Sequence, residues 1–485
     1  MSESREEFRY ILAILLVHIV IWSTSVLDYI IYFLEVEYSG DSFPFKEISH
    51  LPMVAREIGS MVTCFVALKY FYIFGKRSLQ INLLIAAVLM TTVYIFAAVC
   101  SSVCSNKVFF FLYFICMFFK GCGLRLSQCA NKSIITLQVP RKAIQVECLS
   151  LATGSITYIA VSFLGTYFFA YLRFVGSAVL VTCSMYLLII VIFLLMPAKA
   201  KNINAFQVNF TAQSHEIYKL IQIPSILIEI IQIFLSFTAY IVSNLIVFPL
   251  SSILSELHSQ PEHMTHSTMP PNITNSSEIS DNKFPVNASN ITFSSEINNE
   301  AYLSDLEHYL SLAFFSSSVL LIGLCITLTW LSFHFIKKHH RVVLQFVLVI
   351  VALVAALNAQ PTIPLFRATP LTVIAANNIV GNTLFVMQSI SIRHVLYYIS
   401  VHAKDLSQEE AWRKAFSIFV NFLNSIGAAL GIGVFKTILQ VIPHSFVLIF
   451  FAGGSALLAL LRLLKFLQER KVINKLSCVN RTSEI

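Results

Sequence analysis

Asp28, Glu229, His18, Lys120 and Arg125 are ionisable side chains inside stretches apolar enough to cross a membrane. Charge in hydrocarbon is costly and persists where it has a partner, a proton to carry or a ligand to hold. A carboxyl at Asp28, desolvated among Trp and Tyr in "VLDYIIYF", would hold its proton more tightly and could exchange it during a transport cycle. The competing reading is a solvated Asp28 at the outer interface, since helical rise carries it about 27 Å along its run. Glu229 stands early in a later run, facing either the interior or the inner interface. His18 could relay protons or bond a ligand, or pack as a neutral imidazole. Lys120, deep in "FICMFFKGCGLRLSQ", needs a partner, water or an anion, and the planar fork of Arg125 suits carboxylate or phosphate. These cations favour an anionic or zwitterionic organic solute, against ion pairing to Asp28 or Glu229.

The same residues fall on stripes. Ser225, Glu229, Gln232, Ser236, Tyr240 and Ser243 follow steps of three and four, which confines them to about 80° of one helix face. His18, Trp22, Ser25, Asp28, Tyr29 and Tyr32 make a broader stripe near the N-terminus. Lys120, Arg125, Gln128, Asn131 and Lys132 gather on a third segment, and Asn377, Asn378, Gly381, Asn382, Gln388 and Ser389 on a fourth. The asparagines either meet a substrate or join helices by hydrogen bonds. Gly427, Gly431 and Gly433 read as close helix packing.

What positions these stripes is a membrane. The chain has 485 residues, 57% hydrophobic and 12% charged, where soluble domains carry about 25% charge. Its mean hydropathy is +0.76. Runs long enough to span hydrocarbon lie near 10–34, 53–74, 79–100, 108–133, 145–171, 175–196, 225–250, 309–335, 342–358, 371–392, 415–436 and 444–467, twelve in all. The first is too long for a signal peptide and is read as a retained span. Basic residues alternate between the gaps: Arg5 and Arg9, Lys76 and Arg77, Arg141 and Lys142, Lys199 and Lys201, Lys337 and Lys338, and the tail fall on one side. The positive-inside rule makes that side cytoplasmic, with both termini.

The seventh gap is then extracytoplasmic. It holds four Asn-x-Ser/Thr acceptors, Asn272, Asn275, Asn287 and Asn290, which require a secretory lumen, so charge and sugar agree. Its Ser, Asn and Glu richness predicts a disordered glycan-bearing loop over 251–305. Asn209 in "NFT" falls in the cytoplasmic linker and should stay bare. The predicted organisation is an N-terminal half (1–196), a linker (197–220), a C-terminal half (221–467) and a tail (468–485). Weak internal echoes, "GKRSLQ" after the second span and "KKHHRVVLQ" after the eighth, fit the repeats of secondary transporters.

The third, sixth, ninth and twelfth spans are almost wholly apolar, while the first, fourth, seventh and tenth carry the stripes. This period of three resembles the major facilitator superfamily, which implies an all-α fold of two six-helix halves with the striped spans lining a central cavity. "LKYFYIFGKR" keeps Gly75, Lys76 and Arg77 of that family's cytoplasmic gating loop, with Leu68 and Tyr72 in place of its Gly and Asp. "MFFKGCG" keeps Gly121 and Gly123, with Met117 where an Arg is common. "VLDYIIYF" and "FVNFLNSIGAALGIGVFKTIL" are similar to segments of the drug–proton antiporter branch.

The expected function is a secondary-active or facilitative transporter, a symporter, antiporter or uniporter of a small organic solute, with protons as the candidate coupling ion. The rival is a non-transporting receptor or interaction partner that kept the fold. No P-loop, G-x-S-x-G or H-E-x-x-H occurs, so an enzyme is not expected, nor a cofactor. No metal site is expected either: "KKHHR" at 337–341 reads as a positive-inside anchor, and the ten cysteines form no C-x-x-C pair with metal spacing. Expected partners are the lipid bilayer and the solute, not nucleic acid. A monomer in the plasma membrane is expected, with an endolysosomal membrane as the alternative.

Overall fold

The structure, a computed structural model, describes residues 2–39, 48–70, 105–138, 218–259, 288–334, 338–358, 369–403, 406–439 and 441–482, with scattered positions between 146 and 194. Gly75, Lys76 and Arg77, the third span and most of the fifth and sixth lie outside them. Ten long helices account for nearly all the described residues. They are α1 (Ser2–Ser39), α2 (Leu51–Tyr70), α3 (Asn106–Gln138), α4 (Pro224–Ser243), α5 (Val247–Ser259), α6 (Ala288–His334), α7 (Lys338–Asn358), α8 (Pro370–His402), α9 (Leu406–Leu439) and α10 (His444–Thr482). Helices α1 to α3 correspond to the first, second and fourth apolar runs. The last six runs are α4 with α5, then α6 to α10.

Seven stretches among the described residues are long and apolar enough to cross a membrane: Lys107–Gln128, Pro224–His258, Ala301–Leu324, Arg341–Asn358, Pro370–His402, Ala415–Leu439 and His444–Gln468. They are not uniformly buried. Val343, Val347, Ile350, Val354 and Leu357 of α7, and Phe446, Phe450, Leu457 and Leu464 of α10, remain exposed and form apolar stripes suited to lipid. This is a multi-pass membrane protein.

Local chemistry sets the helix ends. Thr369 caps α8, its hydroxyl accepting from the Thr372 amide while the Thr372 hydroxyl accepts from the Thr369 amide, and Pro370 follows at the first turn. Between α4 and α5 the helix breaks at Asn244–Ile246. Pro249 has no amide to offer the Leu245 carbonyl and its ring crowds that carbonyl, so the α-helical ladder cannot run through. Pro443 separates α9 from α10 in the same way.

One sequence expectation needs correction. The tract 251–305 is not a loop throughout: α5 continues to Ser259, and α6 is already helical from Ala288, its first turn carrying Asn290. The reason is apolar spacing at its inner ends. Leu254 on α5 and Leu303, Leu306 and Leu310 on α6 are buried at helical intervals, and His258 contacts Asp305 at 3.1 Å. Asn272, Asn275 and Asn287 lie outside the described residues.

Two approaches of backbone to backbone hold the layers in place. A Cβ on Gly59 of α2 would lie 2.0 Å from the Phe118 carbonyl oxygen, and one on Gly121 of α3 would lie 1.8 Å from that of Arg56. Only glycine lets α2 and α3 come this close, and the Ser60 hydroxyl donates to the Gly121 carbonyl at 3.1 Å across the contact. On α9, Gly427 and Gly431 face Thr238 and Ile241 of α4, whereas Gly433 faces Val54 of α2. The glycine-rich run of α9 therefore packs against both halves, as close packing predicts.

Candidate functional site

The polar residues of the stripes sort into two groups, those that hold the C-terminal half together and those at the seam between halves. In the first group, Glu229 is 2% exposed and receives both nitrogens of a fork from Arg462 of α10, Nε to Oε1 at 2.8 Å and Nη2 to Oε2 at 2.9 Å. His394 of α8 stands 4.0 Å from the same carboxylate. Glu229 thus takes its partner from its own half, where the sequence offered Lys120 or Arg125 only as the competing reading to a bound solute. Arg462 was missed because it stands near the C-terminal end of the last apolar run, three residues before Lys465, where a basic side chain reads as a cytoplasmic anchor. That span also proves two-faced: its outer face is greasy, while Ser455 and Arg462 turn inward.

Gln232 continues this contact, donating to Ser236 at 2.7 Å and to Ser455 at 3.1 Å. Asn377 donates to the Ser243 carbonyl at 2.6 Å, and its oxygen meets His444 Nε2 at 2.8 Å, tying α8 to α4 and α10. Asn378 donates to the Ala313 carbonyl at 3.0 Å and the Ser316 hydroxyl at 2.7 Å, tying α8 to α6. Gln388 donates to Asn424 of α9 at 2.7 Å. The Tyr240 ring lies against Phe385 of α8 at 4.5 Å. These side chains are joined to neighbouring helices, which favours the helix-joining reading of the asparagines.

A second set of side chains meets at the seam. Between the halves α2 and α9 run antiparallel. Lys436 Nζ donates to Ser49 at 2.9 Å, Gly433 faces Val54, and Phe422 meets Phe65 at 4.8 Å. Lys436 also lies over the Phe248 ring at 4.9 Å. Trp22 of α1 seats on Gly154 and makes an edge contact with Tyr158 at 6.0 Å. Tyr158 in turn meets Phe314 of α6 at 5.5 Å and the Asn244 side chain at 3.5 Å.

Arg125 of α3 completes the seam. It is 6% exposed and reaches across to Ser425 of α9 through Nη2 at 2.5 Å, while Nη1 donates to Gln128 at 2.8 Å. Its Nε has no hydrogen-bond partner among the described residues. Lys120 is fully buried on the same helix. His18 is half-buried on α1, and Asp28 lies on α1 with its side chain outside the described residues. Sequence reasoning also missed Arg56 and Glu57, a buried pair of neighbours at 2.7 Å on α2. Among the described residues no three His, Cys, Asp or Glu side chains gather as a metal site would require.

Three solved structures share this arrangement. The chain matches the nucleoside transporter NupG over 93% of its length and 98% of that protein, at 14% identity and a TM-score of 0.55. It matches a D-xylose–proton symporter over 94% and 97%, at 12% identity and a TM-score of 0.60. The fucose–proton symporter FucP of E. coli matches over 94% and 99%, at 13% identity and a TM-score of 0.56. The fold is that of major facilitator transporters. No family profile and no curated protein matches the sequence itself.

Proposed function

We propose that this protein is a secondary-active or facilitative transporter of a small organic solute, anionic or zwitterionic, working by alternating access between its two halves. The supporting observation is the contrast in how the polar residues are used. Within the C-terminal half, α4, α6, α8, α9 and α10 are cross-linked by a buried ion pair and several amide contacts. Across the seam, hydrogen bonds among the described residues run to neutral acceptors: Arg125 to Ser425, Lys436 to Ser49 and Tyr158 to Asn244. An ion-paired half that meets the other through neutral hydrogen bonds suits alternating access, in which the seam must open and close.

Flux tests it. Protein in liposomes should move at least one solute from a panel of sugars, nucleosides, carboxylates and phosphate esters. No flux for any solute, together with a stable complex with another protein, would favour the receptor reading instead.

Coupling to protons is proposed to run through Asp28, because the carboxylate of Glu229 is already engaged by Arg462. Asp28→Asn should abolish accumulation driven by an inward proton gradient while solute exchange persists. Accumulation at the wild-type level in Asp28→Asn would leave a uniporter or another driving ion. The four sequons support a membrane served by the secretory pathway, the plasma membrane before an endolysosomal one. Single Asn→Gln changes at 272, 275, 287 and 290 should raise gel mobility in glycosidase-sensitive fashion, and Asn209→Gln should not.

A further inference from the structure

Three buried arginines among the described residues can be compared for what neutralises them. Arg462 has Glu229, and Arg56 has Glu57. Among the described residues Arg125 has a serine hydroxyl and a glutamine oxygen, with a third donor left over. A guanidinium stays charged at any accessible pH, and burying it against neutral groups alone leaves most of its desolvation uncompensated. Such a group persists where something else supplies the negative charge. The position is as informative as the charge: Arg125 bridges α3 to α9, where a solute between the halves would touch both.

We propose that Arg125 is the docking point for the oxyanion of an organic solute, a carboxylate or a phosphate monoester. The anion takes Nε together with one Nη in a fork, displacing the Ser425 hydroxyl. The hydrogen bond to Ser425 is then a stand-in that closes the seam in the empty protein, and the solute's own anion replaces it when bound. Asn424, beside Ser425 and held by Gln388 at 2.7 Å, offers an amide to the neutral part of the same solute. This rests on the transporter reading for its biological meaning, but the binding claim stands apart from flux.

The test uses purified full-length protein in nanodiscs of phosphatidylcholine alone, so that no anionic lipid competes. Thermal unfolding is followed with lactate, succinate, glycerol 3-phosphate, inorganic phosphate, chloride, xylose and uridine as probes. Succinate, lactate or glycerol 3-phosphate should raise the midpoint where xylose and uridine do not. Arg125→Gln should weaken that binding about 10- to 100-fold, as loss of a charge-assisted pair predicts. Arg125→Lys should keep part of it, and Ser425→Ala should keep or strengthen it. If Arg125→Gln does not fold, the lysine and alanine variants decide.

A shift equal for inorganic phosphate and chloride means an adventitious ion only and overturns the proposal. So does a neutral probe that binds equally well to wild type and Arg125→Gln, and so does loss of the succinate response in Ser425→Ala. Arg125-dependent anion binding without flux of the same anion would uphold the site and sink the transporter reading. Flux of a neutral solute indifferent to Arg125 would do the reverse.

Discussion

Arg462 and Arg125 are the same side chain at similar burial, on helices of the same bundle, in opposite circumstances. Arg462 lies within one half and meets a carboxylate through two nitrogens. Arg125 lies between halves and, among the described residues, meets neutral oxygens. The first has the form of a permanent joint, because removing either partner strands a charge away from water. The second has the form of a site left open. Burial alone does not distinguish structure from function in a membrane protein; the charge of the partner, and whether that partner moves with the residue, does.

Mutations can break or sharpen this contrast. Arg462→Ala should lower stability by about 3–5 kcal/mol in detergent thermal unfolding, because Glu229 is left buried and unpaired. The double change Glu229→Leu with Arg462→Met should recover most of that loss, since no charge remains to be desolvated. Arg125→Met should leave stability unchanged or raise it by about 1–4 kcal/mol, because an uncompensated cation is removed. A loss as large as that of Arg462→Ala would mean that Arg125 is a joint after all.

Smaller effects grade the rest. Asn378→Ala, which removes bonds to Ala313 and Ser316, should cost about 0.6–2 kcal/mol by the same measurement. Ser49→Ala should cost about 0.5 kcal/mol, since Lys436 keeps the Phe248 ring. Its signature should be faster cysteine labelling from the outer side rather than instability.

Legibility differed between the same two groups. The last six spans were readable because long apolar runs are punctuated by Pro224, Pro370 and Pro443, and α8 begins at a Thr-x-x-Thr cap. The stripe on α4 was visible from spacing, but its partners were not. Spacing reports which residues share a face, never which distant helix that face meets. Ser425 is a small hydroxyl inside a glycine-rich stretch that reads as packing, and nothing local marks it as the residue opposite Arg125. The helices of α5 and early α6 were hidden for another reason: polar composition suggests disorder, while a few leucines at helical intervals suffice to organise their inner ends.

The glycine contact between α2 and α3 has a mechanical consequence. With backbones touching at Gly59 and Gly121, there is no side-chain cushion through which one helix could slide past the other, so the pair turns as one lever. Ser49 and Phe65 mark the two ends of its face on α9, separated by about 24 Å of helical rise. A tilt of about 10° pivoting near Phe65 would swing the Ser49 end by about 4 Å, using that same rise. That travel exceeds the reach of the Lys436 hydrogen bond and is wide enough for water to enter. A disturbance of α3 at Arg125 would therefore be amplified at the far mouth without any relay of intervening side chains.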